Sequence, residues 1–122
     1  MNGIVFFHSA ALEEVVEFHT QELGGVVWLE QTGCTIVRHG NLLAGFCRAE
    51  QAQTDGLITL FAETREEVDE YHGRLCAVAA AAPRFNDAYG IYHFYAVDPE
   101  GRPLEIQCFD ERPPLGEWED MC

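Results

Sequence analysis

Residues 92–107 read YHFYAVDPEGRPLEIQ, and this stretch decides the fold. A strongly aromatic, β-rich run, Ile91 to Val97, comes first, and a second run, Leu104 to Phe109, closes it. Between them stands Asp98-Pro99-Glu100-Gly101, with Asp at the first turn position, Pro at the second and Gly at the fourth. That is the composition of a type I turn, so the stretch predicts two strands joined by a tight connection.

Working outward, the same elements recur in the first half. Residues 3 to 8 form an apolar run suited to a strand. A helix follows from about Leu12 to Leu23, with Leu12, Val15, Val16, His19 and Leu23 on one face and Glu13, Glu14, Glu17 and Glu22 on the other. Gly24-Gly25 stops it. Three strands are predicted over Val26 to Glu30, Cys34 to His39 and Leu42 to Arg48, with Thr32-Gly33 and Gly40-Asn41 as turns.

After a polar linker, Ala49 to Asp55, the order repeats. Leu57 to Ala62 is a strand, and Thr64 caps a helix carrying Val68, Tyr71, His72 and Leu75 on one face. The Ala-rich stretch Cys76 to Ala82 has helical propensity, but the repeat asks for a short strand ending at Pro83. Glu13-Glu14-Val15 overlays Glu66-Glu67-Val68 at an offset of 53 residues, and Cys47 falls opposite Cys108 at an offset of 61. The pattern predicts an α+β fold of two βαβββ modules, about 3–48 and 56–109, within one domain spanning 1–110. Residues 111–122 read as an acidic C-terminal tail, with Trp118 placed to dock it.

Composition narrows the function classes. The chain has 122 residues, enough to bury roughly two-thirds of its unfolded surface, and 48% hydrophobic content suits a packed core. Seven basic residues, all arginine, against 21 acidic ones leave a net charge of −14. No basic stripe is present to displace counterions from phosphate, so neither nucleic acid nor an acidic membrane surface is an expected partner. No basic leader precedes an apolar run at the start, and no stretch approaches the ~20 apolar residues of a membrane helix. Five scattered cysteines without a CxxC pair read as reduced thiols, with Cys47 and Cys108 as core filler, and the expected location is cytoplasmic.

The closing stretch Tyr92–Gln107, together with the helix LEEVVEFHTQELGG, resembles the vicinal oxygen chelate superfamily, which includes glyoxalases, bleomycin-resistance proteins and extradiol dioxygenases. The resemblance covers about residues 3 to 109. It implies a cupped mixed sheet, and in the enzymes a divalent metal held by His, Glu or Gln from the first and last strand of each module. Glu105 matches the final-strand ligand. The other positions fall on Ile4, Leu57 and Ala44, so three of the four are apolar. No cofactor is expected on that count. A divalent metal remains the alternative, with Glu105 and His8 as its donors.

Side-chain alternation places Ile4, Phe6, His8, Ala44, Phe46, Leu57, Thr59, Phe61, Glu105 and Gln107 in the cup. That lining suits a small molecule. The ligand-binding candidates are therefore Phe6, His8, Phe46, Thr59, Phe61 and Gln107, and the catalytic candidates are Glu105, His93 and Tyr95. Alternation also puts His93 and Tyr95 on one face of their strand, but leaves open whether that face lines the cup or packs under a helix. The expected protein is a small-molecule binder of the glyoxalase/bleomycin-resistance type, working as a homodimer without a metal. The alternative is a metal-dependent lyase, isomerase or dioxygenase built on Glu105 and His8.

Overall fold

The computed structural model describes residues 1–116. The described residues form two modules of like topology. In the first, β1 (Val5–Ser9) leads to α1 (Leu12–Glu17), which widens into a π-helical turn over Phe18–Glu22; β2 (Val26–Gln31), β3 (Cys34–His39) and β4 (Leu42–Arg48) follow. In the second, β5 (Ile58–Phe61) leads to α2 (Arg65–Leu75), then β6 (Arg84–Asn86), β7 (Ile91–Val97) and β8 (Pro103–Phe109). The sheets have the orders β1-β4-β3-β2 and β5-β8-β7-β6, with β1 parallel to β4 and β5 parallel to β8. This is the two-module cupped α+β architecture expected from the repeat.

Each sheet buries one face under a helix. Phe7, Leu12, Val15, Val37, Ala44, Phe46 and Ile58 form one core, and Phe18, Val68, Leu75, Phe94, Leu104, Ile106 and Cys108 contribute to the other. Ile58 belongs to the second module yet packs in the first module's core, so the two cores are in contact. The helices start by different means. Thr64 caps α2 with its own side chain, accepting from the Glu67 N–H at 3.2 Å. Ala11 has no side chain that can do this for α1. Glu100, on the β7–β8 turn, does it instead: its carboxylate accepts from the Ala10 and Ala11 N–H groups at 2.7 and 3.1 Å and from Ser9 Oγ at 2.6 Å.

Beside it, Arg102 is buried to 1% exposure. It pairs with Asp98, donates to the Gln53 and His8 carbonyls at 2.9 and 3.0 Å, and lies over the Phe7 and Phe46 rings. The predicted turn at Asp98–Gly101 is present, with the Gly101 N–H donating to the Asp98 carbonyl and Gly101 at φ +81°. It therefore serves a second purpose, tying one module to the other.

Three expectations need correction. The Ala-rich stretch is neither a helix nor a strand ending at Pro83. Only Ala79 bridges to Ala96, and the regular strand β6 begins after the proline, at Arg84, because Pro has no N–H for the ladder. Cys34 and Cys47 are not separate thiols: they face each other across β3 and β4 and form a disulfide. Cys76 and Cys108 are free, Cys108 buried as expected. The offset of 61 residues places Cys47 and Cys108 as equivalents, but Cys108 lies on the helix side of its sheet and Cys47 on the other. Trp118 and the end of the tail lie outside the described residues. No helix among the described residues is long and apolar enough to cross a membrane.

Candidate functional site

Core membership fixes which face of each strand is concave. On β8, Leu104, Ile106 and Cys108 pack under α2, so Glu105 and Gln107 point the other way. On β7, Phe94 and Ala96 pack under α2, so His93 and Tyr95 also face the concave side. The alternative left open by the sequence is thereby decided. Strand register then places Tyr95 and Thr59 on either side of Glu105, and His93 opposite Gln107.

The side chains meet as the register implies. Thr59 Oγ1 donates to Glu105 Oε1 at 2.8 Å, and His93 Nδ1 lies 2.6 Å from Glu105 Oε2. The Tyr95 ring meets the His93 ring edge-on at 5.2 Å. Glu105 and His93 are 6% and 7% exposed, while Tyr95 is 44% exposed. A buried carboxylate costs several kcal/mol unless it is hydrogen-bonded, and Thr59 and His93 supply those bonds. Phe61 meets Phe109 edge-on at 5.7 Å, and Arg112 lies over the Phe61 ring while bonding Glu63. Glu105, His93, Tyr95, Thr59, Phe61 and Gln107 thus share one module's concave surface.

The first module contributes differently. Phe6 and His8 share the concave face of β1, and both are exposed. The backbone of His8 is fixed by Gln53 and Arg102. Phe46 is not in the cup: it stacks on Phe7 at 5.8 Å beneath α1 with Ala44. The reason is register. Phe7 pairs with Phe46 and Phe6 with Gly45, so the concave residues of β4 are Leu43, Gly45 and Cys47. A side chain at Gly45 would run into the Phe6 ring. Ile4 and Leu57 precede β1 and β5.

These registers move the four symmetry-related positions to Phe6, Gly45, Thr59 and Glu105. A hydrocarbon ring, a glycine and a threonine beside one carboxylate do not make a divalent-metal site. Both oxygens of Glu105 are already engaged, and no group of three His, Cys, Asp or Glu among the described residues is arranged to hold a metal. The residues present do not fit the metal that the resemblance implies.

A cleft of about 350 Å³ runs between the β3–β4 turn and the start of α2, where Thr59 and Phe61 line it together with His39, Asn41, Leu42 and Tyr71. Near it the buried His19 meets the half-buried His39. His19 Nδ1 lies 2.8 Å from His39 Nε2, with the His19 ring 4.9 Å from Phe46. The helical pattern put His19 on the buried face, but nothing in the sequence pointed to His39 as its partner.

No protein-family model matches the sequence, and no curated protein does. Solved structures do. A glyoxalase/bleomycin resistance protein/dioxygenase from Nocardioides superposes with TM-score 0.71 at 17% identity, covering 96% of this chain and 88% of that one. A glyoxalase/bleomycin resistance protein/dioxygenase family enzyme from Burkholderia phytofirmans PsJN gives 0.76 at 18% identity, covering 86% and 95%. A lactoylglutathione lyase from Agrobacterium tumefaciens gives 0.71 at 18%, covering 88% and 92%. At such identities the likeness is one of fold.

Proposed function

Because the chain has the fold of the vicinal oxygen chelate superfamily, we propose that it is a small-molecule-binding protein that works without a metal. The observation that carries this reading is the state of Glu105. Thr59 and His93 take up its two oxygens, and the symmetry-related positions offer only Phe6 and Gly45. What the concave face presents to a ligand is aromatic surface, Phe6 at 51% and Tyr95 at 44% exposure, around a few polar anchors. Strand register sets Gln107 between Phe61 and His93, and His8 is exposed on the concave face of β1. The metal-dependent lyase, isomerase or dioxygenase reading has no comparable support, because His8 and Glu105 do not assemble with a third donor among the described residues.

Homodimerisation and a cytoplasmic location belong to the same proposal. Strand β2 is exposed along its whole length and lies at the edge of its sheet, which suits pairing with a second copy. In a reducing cytoplasm Cys34 and Cys47 would stand as an open dithiol.

The test is a thermal melt of chelator-treated full-length protein with Zn, Ni, Mn or Fe added. A ligand bound to the native state raises Tm by linkage, so an unmoved Tm is expected. A stoichiometric, saturable rise with one of these ions would overturn the metal-independent reading.

A further inference from the structure

Two polar side chains on the concave face are more than nine-tenths buried and unfinished. His93 is 7% exposed and Gln107 is 8% exposed. Through its side chain, His93 makes one hydrogen bond, from Nδ1, and Gln107 makes none among the described residues. Yet no buried side-chain nitrogen or oxygen among the described residues lacks a partner. The imidazole Nε2 and the Gln107 carboxamide are therefore not fully enclosed, and each is free to bond something that enters from the cup. Strand register sets the two side by side, as partners across β7 and β8.

The protonation pattern of the imidazole follows from its surroundings. Thr59 donates to one oxygen of Glu105, as it would to a carboxylate, and the other oxygen faces His93 Nδ1 at 2.6 Å. A carboxylate only accepts, so Nδ1 carries a proton, and in the neutral imidazole Nε2 then presents its lone pair to the cup. The walls around it are flat and apolar: the Tyr95 ring against His93, and the Phe61–Phe109 pair.

We propose that His93 Nε2, and not Glu105, is the group that contacts the ligand. It accepts a hydrogen bond from an O–H or N–H on a planar aromatic molecule, with the Gln107 carboxamide as second contact. Glu105 and Thr59 are positioning residues that fix the imidazole tautomer. This inference rests on the small-molecule reading above and gives it an atom and a ligand chemistry. An acceptor nitrogen buried without a donor costs about 1–3 kcal/mol, so the face discriminates against flat molecules that lack one.

The experiment uses the full chain labelled with ¹⁵N at histidine, phenol as probe, and anisole as its counterpart without a donor. Long-range proton–nitrogen spectra of the free protein are expected to show His93 protonated at Nδ1 and bare at Nε2. Phenol is expected to shift the Nε2 resonance and to bind about tenfold more tightly than anisole, each affinity being corrected for the compound's own transfer from water. In Glu105→Ala the proton redistributes between the two nitrogens and the preference for phenol disappears. A His93 proton on Nε2 in the wild type overturns the inference outright, whether or not the variant folds. Equal affinities for phenol and anisole, both shifting Phe6 and Tyr95, overturn the role of His93 and leave the binding reading standing. Shifts from neither compound anywhere on the concave face overturn both.

Discussion

Glu100 caps a helix that belongs to the other module: its Oε1 accepts from Ser9 Oγ at 2.6 Å although the two residues are 91 positions apart. The same carboxylate takes the first N–H groups leading into α1, where Ala11 has nothing to offer. Burial pushes the Glu100 carboxyl up, but the bonds from Ser9, Ala10 and Ala11 and the charge of Arg102 hold it, on balance, below the ordinary value of 4.5. Its folded pKa is depressed, so its contribution to stability is present above about pH 4.5 and is lost as pH falls through the folded value. Glu100→Ala is expected to cost about 1–2 kcal/mol at pH 7, and less in acid, by denaturant melts across pH.

Arg102 joins what Glu100 aligns. Removing it leaves Asp98 buried without its partner and strips donors from the Gln53 and His8 carbonyls. Arg102→Ala is expected to destabilise by roughly 3–5 kcal/mol. Arg102→Lys should recover little of this, since one ammonium cannot span those acceptors while stacking on Phe7 and Phe46. Paired urea titrations of the two variants read the difference.

His19 gives the fold a second acid sensitivity. Burial, then the neighbouring His39 and Arg102, lower its pKa from 6.5 to about 3. The unfolded chain therefore takes up this proton first as pH falls. Stability is full above pH 6.5 and declines below it, by at most about 1.4 kcal/mol per pH unit, until the folded value is reached. His19→Phe should flatten the pH dependence between 6.5 and 5, a range above the Glu100 transition. An unchanged slope in that variant would remove His19 from the account.

The Cys34–Cys47 bond is open to direct chemistry. Peptide mapping of air-handled, non-reduced protein should find those two linked and Cys76 and Cys108 alkylated. Replacing both linked cysteines with serine is expected to cost about 2–3 kcal/mol under oxidising conditions and much less in reductant. A map with Cys34 and Cys47 both alkylated before reduction would refute the pairing.

Strand β2 offers four exposed apolar residues, Val26 to Leu29, and one charge, Glu30, on a chain of net charge −14. Two copies pairing along this edge would cover it without stacking many like charges. Light scattering after size exclusion should give twice the chain mass for the wild type and the single mass for Trp28→Glu. Equal masses for the two would argue that β2 is not the contact.

How the fold was legible is clear from single elements. The Asp98–Gly101 turn, the Thr64 cap and the glycine stop after Leu23 are local chemistry, set by residues adjacent in sequence, and the structure has all three. The repeat followed because each module must bury a helix face of the same spacing. The site was legible only in part. Glu105 was readable from its motif, but a strand's side chains change face with a shift of one residue. Aligning the modules through Cys47 and Cys108 put Phe46 in the cup, whereas register pairs Gly45 with Phe6 and leaves Phe46 under α1.

The sequence by itself determined the two modules, their strands and helices, and the acidic character of the chain. Tertiary structure decided which residues touch: His93 with Glu105, Cys34 with Cys47, Arg102 with the first module. Local composition sets which backbone shape is cheapest for each segment. Partners across a sheet or between modules are instead chosen by register and packing of the whole chain, which no short stretch encodes.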